Sequence, residues 1–254
     1  MTAAPRMDAR AVALQALIAC HRQGAWSDSM LRSLLPRAGL DRRDAALASR
    51  LCYSVLQNEL LLDWQLARFT KLDRLQSVIL EILRLAACQL LLLDKIPPSA
   101  AVNEAVKQAK RYANPGAAGL VNGVLRNMIR GKNDVVWPKP QDDAVKYLSI
   151  MFSAPEALCE MLVKAYGEHD AMEILRYRPK DRTVTVRVNY LRCDDARLRI
   201  LFADDELDFE PGALEGVYKV HGAGDMTRMR AFQNGLFTIQ GESSVLAARM
   251  VGAK

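Results

Sequence analysis

Histidine, cysteine and aromatic residues are all scarce in this chain of 254 residues, and each scarcity excludes something. The three histidines, His21, His169 and His221, stand apart from one another. The cysteines Cys20, Cys52, Cys88, Cys159 and Cys193 contain no C-x-x-C pair. That leaves no ligand set with zinc-site spacing, so no metal is expected. Five is also an odd number, and several of these cysteines lie among apolar residues, as buried free thiols of a reducing cytosol do. Aromatic residues make up 6% of the chain and do not interleave with the basic ones. A base-stacking platform is therefore poorly supported, and any nucleic acid would be held through its phosphates. A long uncharged apolar run is missing too. The densest, Leu75 to Leu93, is interrupted by Glu81 and Arg84, which reads as a buried helix and not as a membrane span. Met1 to Arg10 has no apolar segment of a secretory signal, so a cytoplasmic protein is expected.

What is present is apolar material for a sizeable core, 50% of residues, and an uneven charge. Residues 1–133 hold 19 Lys+Arg and 10 Asp+Glu, a net of +9, whereas residues 134–254 hold 16 and 19, a net of −3. Two units of different character are expected, the first suited to a polyanion. The plainer reading of +9 is a solvated, soluble surface.

The first half reads as successive helices. Val12, Ala13, Ala16 and Leu17 recur at helical spacing, and a loop is expected at Pro36 and Gly39. Asp41 is a candidate N-cap for a helix through Leu47, Leu51 and Val55, and Leu60 to Phe69 is a further helix. Ser77 to Leu93 is apolar nearly all round, as a central helix would be. Pro97-Pro98 ends it. Val102, Ala105, Val106 and Ala109 mark the buried face of the next helix, with Lys107, Lys110 and Arg111 on another face. After the Asn114-Pro115-Gly116 turn, Leu120 to Ile129 form the last helix, carrying Arg126 and Arg130 and ending at Gly131. Gly119 and Gly123, four apart within it, suggest close backbone packing. A linker is expected over 132–141, then helix from about Pro155 to Tyr177. Thr183 to Val188 then alternates with period two, a half-buried strand. Asp194 or Asp195 caps a helix through Leu198 and Leu201. Val217–Val220 and Leu236–Gln240 are further strands, and Ser243 to Val251 a closing helix. The expected fold is mainly α: an all-helical domain over 1–131, a linker with short helices over 132–180, and a small α+β segment over 181–254.

Several stretches resemble a known family. Leu72-Asp73-Arg74-Leu75, Leu83-Arg84-Leu85-Ala86, Ile96-Pro97-Pro98 with Val102-Asn103-Glu104-Ala105-Val106, and Val121-Asn122-Gly123-Val124-Leu125-Arg126 resemble the helical RNA-binding fold of NusB. Arg187-Val188-Asn189, and Gly235 to Gln240 followed by Glu242-Ser243-Ser244, resemble the region before the donor-binding domain of Sun-type (Fmu-type) RNA cytosine-5 methyltransferases. That family carries an acid directly after the Gln, where this chain has Gly241. The combination resembles the Sun-type enzyme of 16S ribosomal RNA.

The resemblance implies that a domain with a Gly-rich turn for S-adenosylmethionine follows Lys254, and with it two catalytic cysteines in Pro-Cys and Thr-Cys contexts. Here the cysteines follow Ala19, Leu51, Ala87, Leu158 and Arg192. No catalytic or cofactor-binding residue is therefore expected in this chain. Gly222-Ala223-Gly224 mimics the start of a nucleotide loop, but Thr227 occupies the place of its third glycine, and an ordinary connection is expected. The RNA candidates are Arg6 and Arg10, from the basic N-terminal segment implied by the family, with Lys107, Lys110, Arg111, Arg126 and Arg130. The competing reading for the last five is a solvated face, and for Arg84 a buried ion pair. The expected partner is 16S ribosomal RNA, with a protein partner of the helical domain also open. The rival function is a stand-alone NusB-like adaptor of transcription antitermination, docking RNA or protein.

Overall fold

The computed structural model describes residues 7–131, 138–177 and 183–252. The chain divides into two compact units, Met1–Arg176 and Tyr177–Lys254.

The first unit is helical. Seven helices make its main body: α1 (Ala9–Gln23), α2 (Ser27–Ala38), α3 (Arg42–Gln57), α4 (Glu59–Ala67), α5 (Ser77–Leu92), α6 (Pro98–Tyr112) and α7 (Pro115–Arg130). Helix α5 packs against α1, α3, α4, α6 and α7, as its all-round apolar sequence requires. Its residues Ile82 to Gln89 are all buried. The caps follow local chemistry. Asp8, Asp41 and Asn114 accept bonds from the free amides of Ala11, Asp44 and Ala117. Helix α2 departs from the sequence reading. Pro36 lies inside its last turn instead of in a loop, since Leu31 and Leu34 are buried and Asp28 pairs with Arg32 at 2.9 Å.

Two more helices complete the unit, α8 (Ala144–Phe152) and α9 (Glu156–Arg176), the latter kinked at Gly167 with φ 81°. Helix α8 was not anticipated: the expected helix began near Pro155. It packs on α4, where the Leu61 amide donates to Ser153 Oγ at 3.2 Å. Its buried residues are only Leu148, Ser149 and Ile150, too few to register as a period. The expected stop at Pro179 and most of the expected 132–141 linker lie outside the described residues.

Arg84 is the centre of a buried charge network. Its guanidinium reaches Asp63 at 2.6 and 2.8 Å, Glu59 at 2.8 Å and Glu81 at 2.8 Å. His21 joins it, with Nε2 3.0 Å from Glu59 and Nδ1 3.1 Å from Glu81. The hydrogen bond to Glu59, then that to Glu81, pushes His21 up to about 10 against burial. Since this folded value lies above the unfolded one, the imidazolium's contribution is complete below about pH 6.5 and is lost as pH rises towards 10. His21→Gln is therefore expected to flatten the fall in melting temperature between pH 6 and 10, a range set by about 6.5 and about 10 as the two limits. Equal slopes in thermal melts of the two proteins would contradict this.

The second unit is a four-stranded antiparallel sheet in the order β2-β3-β1-β4. The strands are β1 (Thr183–Val188), β2 (Asp208–Pro211), β3 (Val217–His221) and β4 (Phe237–Ile239). Helix α10 (Asp195–Asp204) buries Leu198 and Phe202 against Val186, Val188, Tyr218, Val220 and Phe237. Short helix α11 (Arg230–Gln233) and helix α12 (Glu242–Met250) follow. Asp194 is the cap of α10, accepting from the Arg197 amide at 2.8 Å. Asp195 takes the hydroxyls of Tyr190 and Tyr218, each at 2.6 Å. Among the described residues no helix is long and apolar enough to cross a membrane.

Candidate nucleic-acid interface

The α6–α7 hairpin carries most of the expected RNA residues. Pro98 opens α6 at its first position, where a missing N–H costs nothing, and Asn114-Pro115 caps and opens α7 in the same way. The two family signatures divide by face. In one, Val102 and Ala105 are core while Asn103 is exposed. In the other, Val121, Val124 and Leu125 are core, while Asn122 Oδ1 accepts from Arg126 Nε at 2.9 Å. Arg130 bonds Asn127, so both arginines are braced from their own helix. Pro98, Ser99, Asn103, Arg126, Ile129 and Arg130 line a groove of about 480 Å³ between the start of α6 and the end of α7.

The other cations lie elsewhere. Lys107, Lys110 and Arg111 occupy the far end of α6, by the turn. In an antiparallel hairpin this puts Lys110 on the order of 10–15 Å along the axis from Arg126. The reversal of direction at the turn thus sets the two clusters apart. Lys107 is paired with Glu104 at 2.7 Å, and the Arg111 guanidinium lies 5.0 Å from the Tyr112 ring centroid. Burial raises the Tyr112 hydroxyl against the field of Arg111. Arg10 is half-buried and donates from Nε to Gln89 at 2.7 Å. Arg6 lies outside the described residues.

Sequence reasoning passed over Arg43, Arg50 and Lys95, which line a second groove, of about 440 Å³, together with Arg10. The spacing of Arg43 and Arg50, two turns apart on α3, was the available signal.

The packing explanation for Gly119 and Gly123 is overturned. Both are exposed, and a Cβ on either would meet nothing within 4 Å. Gly123→Ala is accordingly expected to stabilise the helical unit by about 0.5–1 kcal/mol, through helix propensity alone. A lowered urea midpoint would contradict that.

The Gly222–Gly224 loop does not run into the N-terminus of a long helix. It leads into a single 3-10 turn, Met226–Arg228, and the Asp225 carboxylate is taken up by the amide and hydroxyl of Thr227. Glu242, next to Gly241, accepts through Oε1 from the Ala213 amide. Burial pushes the thiols of Cys52 and Cys88 up to about 12, so neither is a ready nucleophile.

Comparison with known proteins meets this geometry. The NusB family profile matches residues 7–130, and the chain is 36% identical over 126 residues to the transcription antitermination protein NusB of Bacillus licheniformis, covering 95% of that protein. The chain belongs to the NusB family through this unit. It is also 35% identical over 247 residues, 96% of its length, to the probable ribosomal RNA small subunit methyltransferase B of Bacillus subtilis. The chain spans 55% of that relative. The crystal structure of PH0851 shares the fold over 96% of this chain and 56% of its own, with a TM-score of 0.67 at 16% identity. A NusB domain, and homology to small-subunit ribosomal RNA methyltransferases that runs on through the α+β unit, thus stand together in one chain.

Proposed function

We infer that this chain is the RNA-recognition region of an S-adenosylmethionine-dependent methyltransferase acting on C5 of cytosine in 16S ribosomal RNA. One observation carries the reading. The likeness to the methyltransferase of Bacillus subtilis continues through α8, α9 and the α+β unit, whereas the likeness to NusB proteins ends with α7. In this reading the methyl donor and the reacting cysteine belong to the part of such relatives that lies beyond the matched half. The residues of this chain bind and orient the RNA backbone. Arg126 and Arg130 offer braced guanidinium groups along one groove, and Lys110, Arg111 and Arg10 provide further phosphate contacts. The second reading, an antitermination-type adaptor, draws on the match to nearly the whole of a NusB protein, but gives no role to residues 138–252.

The test is RNA binding by the 254-residue chain over a range of salt. With about four phosphate contacts on a single strand, the slope of log K against log salt is expected near −3. Lys110→Ala, Arg126→Ala and Arg130→Ala together are expected to flatten it by about 2 without unfolding the protein, since exposed cations add little stability. Absence of RNA binding at low salt would defeat the reading and favour protein docking.

A further inference from the structure

We propose that the groove framed by Arg10, Arg43, Arg50 and Lys95 is a second phosphate-binding site, which takes the backbone of the same RNA strand that lies in the Arg126–Arg130 groove. The proposal rests on the RNA reading above and adds a site to it.

Three elements bring these cations together. Arg10 sits in the first turn of α1, and Arg43 in the first turn of α3. Arg50 stands two turns further along α3, about 10 Å away on the same side. Lys95 comes from the connection between α5 and α6. Against four cations the groove has one carboxylate, Asp94.

This charge is not neutralised from within. Some other cations of the chain are paired with a carboxylate three or four residues away on the same element: Arg32 with Asp28, Lys107 with Glu104, Arg176 with Glu173. Among the described residues Arg43, Arg50 and Lys95 take part in no ion pair. Asp44, the one acid within α3, takes part in no ion pair among the described residues, and Asp41 is committed to capping the helix through the Asp44 amide. Several like charges around one concavity give a focused positive potential, which an anion relieves.

The groove is also built, not merely decorated. The Arg10 Nε bond to Gln89 is fixed in turn by the Gln89 amide donating to the Leu85 carbonyl at 2.9 Å. This holds the guanidinium in place and leaves its other N–H groups outside that bond. The floor, of Leu47, Leu93 and Ile96 among others, is apolar, and sheds water from beneath the cations. A polyanion with its charges at intervals fits this row of cations, since Arg43 and Arg50 stand about 10 Å apart along α3.

Position decides the ligand class. The second groove is lined as far as Ile96 and the first begins at Pro98, so only Pro97 separates them in the chain. A strand that crosses this ridge engages both.

The experiment is fluorescence anisotropy of a labelled 16-nucleotide single-stranded RNA with the 254-residue chain across a salt series. Arg43→Ala/Arg50→Ala/Lys95→Ala is compared with Arg126→Ala/Arg130→Ala. All five residues are exposed, so folding is expected to survive, and melting by circular dichroism checks it. If all three cations of the groove reach phosphates, the first variant flattens the salt slope by about 2 and loses about 100-fold in affinity at 0.1 M salt. Arg43→Glu/Arg50→Glu is expected to lose at least as much. An unchanged slope in these variants, with binding weakened in the Arg126/Arg130 variant, overturns the proposal and leaves the RNA reading intact. No binding of RNA by any of the proteins overturns both. Saturable binding of poly-glutamate in place of RNA overturns it in favour of an acidic protein.

Discussion

Arg84→Ala is expected to destabilise the helical unit by about 3–5 kcal/mol, the range found when one partner of a buried ion pair is removed. The reason is charge balance in a small volume. Glu59, Asp63 and Glu81 converge on Arg84, whose side chain is 8% exposed, and Glu81 is 2% exposed. Burial opposes the guanidinium's charge, but the bond to Asp63 and the fields of Glu81, Asp63 and Glu59 outweigh it and hold the group more firmly protonated than usual. Without Arg84, three carboxylates face one another with only His21 between them. Repulsion then favours protonating one of them, so the variant is expected to regain stability as pH falls towards 5, the reverse of an ordinary acid denaturation. Arg84→Lys is expected to recover only part of the loss, because an ammonium cannot present a planar fork to Asp63 while it also reaches Glu59 and Glu81. Urea unfolding by circular dichroism measures all three. A loss below about 1 kcal/mol for Arg84→Ala would mean that the network contributes nothing beyond its own desolvation.

The same network shows how far the sequence could be read. Glu81 and Arg84 are three apart on one helix, so their pairing was legible, and the apolar surroundings marked them as buried. Glu59, Asp63 and His21 were not legible as partners, because α1 and α4 meet α5 only through tertiary packing. The cap was readable where one residue competed for the role, as at Asp41, whereas Asn114, read as part of a turn, also caps α7. Asp194 and Asp195 were left as alternatives, since only the fold brings Tyr190 and Tyr218 to the second of them. Strand β2 went unnoticed because Asp208–Pro211 offers a single apolar residue, and two are needed to show alternation.

The candidate interface was legible in kind more than in layout. Helical spacing identified Lys107 with Lys110 and Arg111, and Arg126 with Arg130, because neighbours within a helix are fixed by its pitch. The relation between the two groups depended on the direction of α7, which a sequence period does not carry. Gly119 and Gly123 misled for a similar reason. Four-residue spacing states which side of the helix they share, not what faces that side, and here it is open space. Arg43 and Arg50 had the right spacing but no company in the sequence. Their significance comes from Arg10 and Lys95, which lie 33 and 45 positions distant from Arg43 and Arg50 respectively and join them only in the folded unit.

Phe202→Ala is expected to unfold the α+β unit while leaving the helical unit folded. Phe202 is fully buried, and its ring meets Phe209 at 5.5 Å and Phe237 at 5.4 Å, both edge-to-face. Phe209 is on β2 and Phe237 on β4, which are the two edges of the sheet. One side chain of α10 thus ties together strands that are never hydrogen-bonded to each other. Truncating a buried phenylalanine costs about 3–5 kcal/mol through lost transfer energy and the cavity left behind, and the loss of two aromatic pairs adds roughly 0.5–1.5 kcal/mol for each. A unit this small has only a few kcal/mol of stability in total. Its core is drawn from residues 184–237, with none from α1 to α9, so the loss is confined to it. Hydrogen exchange monitored residue by residue separates the two units. The β1 amides that bond to β3 and β4 should lose protection in the variant, while the amides of α5 keep theirs. Phe202→Leu, which keeps much of the volume, is expected to retain β1 protection at a cost nearer 1–2 kcal/mol, on the order of an imperfect hydrophobic swap. Loss of protection in α5 as well would show that the two units unfold together, and retained protection in β1 would show that the sheet does not depend on this contact.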